Sequence, residues 1–221
     1  MIKYYQIRYL WVIKKLKIII KKVVFIHKID KIGEAEIIYI MPGTMPATEE
    51  MQTTATPLSA SVVANALRTI IKDFNYWGES ESDSPLRISR TKNSLDEKRI
   101  LSLDSSARAR YLESLSGYKA PSDRGLQTKT LVEVFEPLVS NSISSLNSSL
   151  QQFKDGVVPM TELEMPAEAV EFYIQLYSAF TMLQETKVVY VDSPTDPYVG
   201  LFIIGNAGAE TVYAQTLLVQ T

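Results

Sequence analysis

Residues 198–221 read YVGLFIIGNAGAETVYAQTLLVQT, and this stretch decides the fold. Two runs rich in Val, Ile, Leu, Phe and Tyr, at 198–205 and 211–220, flank NAGAE, whose Asn206 and Gly208 tolerate a tight reversal. The pattern predicts a closing β-hairpin. Just upstream, VVYV at 188–191 adds another strand. Before it, residues 166–184 carry Val170, Tyr173, Leu176, Tyr177, Phe180 and Leu183 at helical spacing, with Pro166 well placed as the first helical residue.

Working further towards the N-terminus, a first helix opens at Ser59 or Ser61 as N-cap. It places Val62, Val63, Ala66, Leu67, Ile70, Ile71 and Phe74 on its apolar stripe. The segment NYWGESESDSP at 75–85 ends that helix in an exposed loop, and a short strand follows at 86–89. Residues 92–127 are dense in Ser and charge, with a helix expected over 105–116 and stopped by Gly117. TKTLVEVF at 128–135 alternates and predicts a strand. Pro137 closes it before a Ser/Asn-rich helix bearing Val139, Ile143, Leu146, Leu150 and Phe153. Together these elements predict an α+β domain with an antiparallel-rich sheet covered by helices. No internal repeat is visible.

Composition narrows the chemistry. The 221 residues include no cysteine, which removes disulfides, thiol nucleophiles and cysteine-ligated metal, and is compatible with a reducing cytoplasm, the expected location. A single histidine, His27, falls in a segment expected to lie outside the folded domain. Proton transfer near neutral pH usually falls to imidazole, so a catalytic role is disfavoured and the chain is read as not an enzyme. Charge is unevenly shared. Residues 1–40 hold nine Lys or Arg against three acids, net +6; the totals of 23 and 25 then leave 14 basic and 22 acidic residues for 41–221, net −8. An acidic body argues against nucleic acid as a direct ligand and favours a basic partner.

Residues 1–55 form a basic N-terminal extension, expected to be disordered or not native, and 56–221 form the folded domain. Lys14, Lys15, Lys17, Lys21 and Lys22 interrupt the apolar run, so no membrane span is expected. A signal peptide fits poorly for the same reason. A membrane-surface helix is one reading of 1–40; the favoured one is an upstream stretch included by a wrong start choice, with Met41, Met45 and Met51 as alternative starts.

Three features are candidates for function. The loop from Gly78 to Asp83 carries Glu79, Glu81 and Asp83, charges that must face water, a cation or a basic partner. Its simpler reading is a solvated turn, and it lacks the spacing of a calcium loop. The C-terminus stays apolar up to Gln220 and Thr221, so the end is expected to be held in the sheet. Tyr76 and Trp77 precede the acidic loop and either anchor an interface or pack beneath the loop.

In this order, FNYWGESESDSP at 74–85 and the closing YVGLFIIGNAGAETVYAQTLLVQT resemble the nuclease A inhibitor family. There a first amphipathic helix leads to a Ser-Glu-Ser-Glu-type loop followed by proline, and the chain ends in a hairpin closing on threonine. The likeness covers most of 58–91 and 166–221. It implies an α-β-α sandwich and an inhibitor of a magnesium-dependent, sugar-nonspecific endonuclease that cuts DNA and RNA. It further implies that Glu79 takes the position of the key acid reaching the nuclease's catalytic magnesium, with Thr221 as the terminal threonine beside it and Glu81 as the second acid. No cofactor of its own is implied. Gly78 departs from the family's serine, the loop is longer before Pro85, and 92–127 looks like an insertion, so contacts from the middle of the family do not carry over. Two alternatives stand beside this reading: a non-inhibitory binding module of the same fold with another basic partner, and a hydrolase working on Glu79 and Glu81 alone. The second is weak, because exposed acids two residues apart gain no raised pKa from burial.

Overall fold

The computed structural model describes residues 59–72, 74–76, 81, 84–115 and 117–220. These belong to the second of two units, Met1–Thr56 and Pro57–Thr221, into which the chain divides. The expectations for the basic extension 1–55 lie outside the described residues.

Among the described residues five strands form one antiparallel sheet. In chain order they are β1 (Arg87–Thr91), β2 (Gly125–Lys129), β3 (Gln184–Asp192), β4 (Tyr198–Ala207) and β5 (Glu210–Val219), and in space β1-β5-β4-β3-β2. The closing hairpin is as expected, with Ala207 opposite Glu210. Its loop is therefore two residues, and Gly208 takes φ 63°, the left-handed value that a type II′ turn needs at its first position. Along β4, Val199, Leu201 and Ile203 face one side while Phe202 and Ile204 face the other, and all five are buried. Burial on both faces is why YVGLFIIG reads as a continuous apolar run instead of an alternating one.

Each face is covered by helix. On the first lie α1 (Ala60–Ile70), α3 (Leu131–Lys154) and α4 (Glu164–Thr181), the last preceded by a 3₁₀ turn at Met160–Leu163. On the second lies α2 (Glu97–Tyr111), whose Ile100, with Leu95 just ahead of it, packs on Val189, Val191, Phe202, Ile204 and Tyr213. The domain is thus an α-β-α sandwich. Residues 92–127, expected as an insertion, supply the helical cover of one face among the described residues and the first three residues of the edge strand β2. Among the described residues no helix is long and apolar enough to cross a membrane.

Several expectations are corrected. Thr128–Phe135 is not a strand: β2 ends at Lys129, and Thr130 caps α3, its hydroxyl accepting from Glu133 N while the Glu133 carboxylate accepts from Thr130 N at 2.6 Å. TLVE is a capping box, and that local exchange of hydrogen bonds outweighs the β propensity of Thr and Val. Pro137 accordingly lies inside α3 instead of ahead of it. Near the chain's middle, α2 starts at Glu97 and not at 105, with Asp96 as N-cap accepting from Arg99 N at 2.8 Å. Its stripe escapes a hydrophobicity reading because two inward positions are Asp104 and Arg108. In α1, Ser59 is the N-cap as expected, but Val62, 54% exposed, and Ala66 face solvent while Ala60 and Ala64 are buried. Pro166 is the third residue of α4, not the first, because the 3₁₀ turn feeds directly into it.

Candidate partner-binding edge

The residues on either side of the acidic loop are rooted in the core. Tyr76 and Ser84 form an isolated antiparallel bridge, with Tyr76 N donating to Ser84 O and Ser84 N to Tyr76 O, both at 3.1 Å. Beneath the bridge the Tyr76 ring meets Tyr173 of α4 edge-on at 5.8 Å, and Phe74 stacks on Phe172 at 4.7 Å. Tyr76 is 0% exposed. Its expected role as a partner contact is therefore corrected to the other one weighed, packing: the ring is buried against α4 just ahead of the acidic segment, where an aromatic side chain is more stable than in water. Ser84 adds a second fastening, its Oγ donating to Leu217 O of β5 at 3.1 Å.

Glu81 also touches the last residue of β5. Glu81 N donates to Val219 O at 2.9 Å, and the Glu81 side chain is exposed. Gln220 N in turn donates to Pro197 O at 2.8 Å, so the strand end is held on its other side by the β3–β4 connection. The structure thus brings together Glu81, Val219 and Gln220, with Tyr76 and Ser84 behind them. Trp77, Glu79, Asp83 and Thr221 lie outside the described residues.

At the same end of the sheet sits a buried ionic cluster that sequence reasoning missed. Arg108 of α2 uses every guanidinium donor: Nε to Asp104 Oδ2 at 2.7 Å, Nη1 to Tyr118 OH at 3.0 Å and to the Asp196 carboxylate, Nη2 to Tyr198 O at 2.7 Å and Val191 O at 3.2 Å. Arg124 donates to the same Asp104 oxygen and to Ser105 Oγ, and Tyr118 OH donates to Asp196 Oδ2 at 2.6 Å. Two cations and two anions balance. Burial alone would lower the Arg108 pKa, but the Tyr118 hydrogen bond and the Asp104 charge outweigh it and the pKa is raised. Burial also raises the Tyr118 phenol, helped by its bond to Asp196. A signal did exist: Asp104 and Arg108 stand at i, i+4, one above the other on a helix. A helix started at 105 leaves Asp104 outside and hides the pair.

Among the described residues no group of three or more His, Cys, Asp or Glu is placed to hold a metal ion. The chain matches no family model and no curated protein sequence.

Proposed function

We propose that the protein is a non-catalytic inhibitor that binds a magnesium-dependent, sugar-nonspecific endonuclease in the cytoplasm and blocks its active site with the 77–83 loop and the C-terminus. The observation that carries this reading is the 2.9 Å hydrogen bond from Glu81 N to Val219 O, which joins the acidic loop to the final strand. In this reading Glu79 reaches the nuclease's magnesium, Glu81 and Asp83 face the basic cleft around it, and Trp77 and Thr221 contact the nuclease beside them. Magnesium takes oxygen ligands, and a cleft built for phosphates is basic, so a carboxylate can stand where a phosphate would. The resemblance of 74–85 and 198–221 to nuclease A inhibitors supplies the identity of the target. The inhibitor itself requires no cofactor, and its acidic body opposes binding to the nuclease's own substrate.

The test is plasmid cutting by a nonspecific magnesium nuclease in the presence of the full chain. Equimolar protein should stop cutting, and excess magnesium should not restore it, which separates blocking from chelation. Glu79→Ala should raise the half-inhibiting concentration roughly 30-fold, as expected for loss of about 2 kcal/mol at an interface hot spot, with unchanged circular dichroism. Undiminished cutting at equimolar protein would end the proposal. Binding without inhibition would leave the plain protein-binding module in its place.

A further inference from the structure

We infer that the buried Arg108 cluster is a positioning device for the partner-binding edge, fixing the β3–β4 connection and, through Pro197, the end of β5. The inference rests on the reading of that edge given above. The cluster withdraws two guanidiniums and two carboxylates from water, and Arg108 and Asp104 are both 0% exposed. Buried ion groups of this kind are commonly no more stabilising than apolar side chains of similar volume, so stability alone accounts poorly for them. What they do confer is geometry.

That geometry is directed at one segment. Three of the five Arg108 bonds end on Val191 O, the Asp196 carboxylate and Tyr198 O, which bracket the β3–β4 connection. This connection contains Pro194 and Pro197, which have no N–H to donate, so it has few backbone bonds of its own. Its own amides donate within the turn, Thr195 N to Ser193 Oγ at 3.4 Å, Asp196 N to Ser193 O at 3.2 Å and Tyr198 N to Asp196 Oδ1, also 3.2 Å. Asp196 is thus held from α2 and passes that constraint to its neighbour Pro197, whose carbonyl accepts Gln220 N. Tyr198 pairs with Val219, the residue that accepts Glu81 N. If Asp196 is released, the acceptor that fixes Gln220 moves with it. Because the cluster is buried and charge-balanced, it contributes no long-range steering. Its influence on binding therefore falls on dissociation and not on association.

The experiment uses the full chain with Asp196→Asn and, as a milder change, Tyr118→Phe, which removes the hydroxyl that bridges Arg108 and Asp196 and leaves their direct ion pair in place. Amide hydrogen exchange is read by NMR at Gln220, with Ile203 in the middle of β4 as reference. Association and dissociation rates are read on an immobilised nonspecific magnesium nuclease. The expected result is exchange at Gln220 roughly tenfold faster or more with Ile203 unchanged, and dissociation faster by a similar factor with association unchanged. Unchanged exchange at Gln220, or equal acceleration at Ile203, overturns the inference, as does faster Gln220 exchange with unchanged dissociation. If the unmodified chain fails to bind the nuclease, the inhibitor reading falls by itself; the exchange data then decide whether the cluster positions this edge. If Asp196→Asn fails to fold, Tyr118→Phe carries the comparison with a smaller acceleration expected at Gln220 and Ile203 again unchanged.

Discussion

Asp104 is held from one side by two guanidiniums and pressed from the other by backbone. Its Oδ2 accepts from Arg108 and Arg124, while its buried Oδ1 meets no donor among the described residues and lies against Gly200 of β4. A Cβ built on Gly200 would stand 2.1 Å from that oxygen. Since Asp104 cannot swing away without breaking both ion pairs, Gly200→Ala should cost about 1–3 kcal/mol, the usual range for overpacking, in urea unfolding. A loss below about 0.5 kcal/mol would show that the carboxylate shifts freely. Little at this scale was readable in advance. The glycine looks like an ordinary strand interruption, and only the packing of α2 against β4 gives it a reason. Tyr76 teaches the same lesson in reverse, since an aromatic beside an acidic loop reads as contact or as support until its burial decides.

At the scale of elements, the start of α3 shows how local hydrogen bonds override propensity. Thr130→Ala removes one half of the capping box and should lower stability by about 1 kcal/mol, measured by denaturant midpoint at constant slope. The other half depends on pH. Bonds from the Thr130 backbone and hydroxyl hold the Glu133 carboxyl below its ordinary pKa. A depressed carboxylate stabilises the fold above its unfolded value, about 4.3, and the benefit disappears as pH falls through the lower folded value. The penalty of Glu133→Ala should accordingly be constant from neutral pH down to about 5 and shrink below about 4; a penalty unchanged at pH 3 would contradict the cap. The status of α2 can be tested likewise. Ile100, 2% exposed, anchors it on the sheet, so Ile100→Ala should destabilise the whole domain by about 2–5 kcal/mol in one cooperative transition. Separate loss of 92–127 at lower denaturant would make that segment an appendage.

Across the whole molecule the distribution of charge matters more than its sum. Residues 87–124 hold nine Lys or Arg against five acids, net +4, while the rest of 41–221 is net −12. The edge strand β1 and the α2 layer are thus the basic part of an acidic domain. For the proposed complex, steering by this field predicts that the association rate falls about tenfold or more between roughly 0.05 and 0.5 M salt, with dissociation much less affected. A salt-independent association rate in stopped flow would show that the acids serve solubility alone. Much of the α+β class was legible beforehand. The hairpin, the helix before it and the Ser59 cap follow from patterns within a few neighbouring residues, where hydrophobic period and turn chemistry act locally. Other features depended on contacts between residues far apart in sequence: α2 as the cover of the second face, the five-bonded Arg108, the loop stapled to β5 through Ser84 and Glu81. A sequence shows which residues can donate, accept or pack. Which distant partners they meet is decided only when the strands take their order and bring Tyr76, Glu81 and Ser84, then Arg108 and Tyr118, then Asp196, Pro197, Val219 and Gln220 to one end of one sheet.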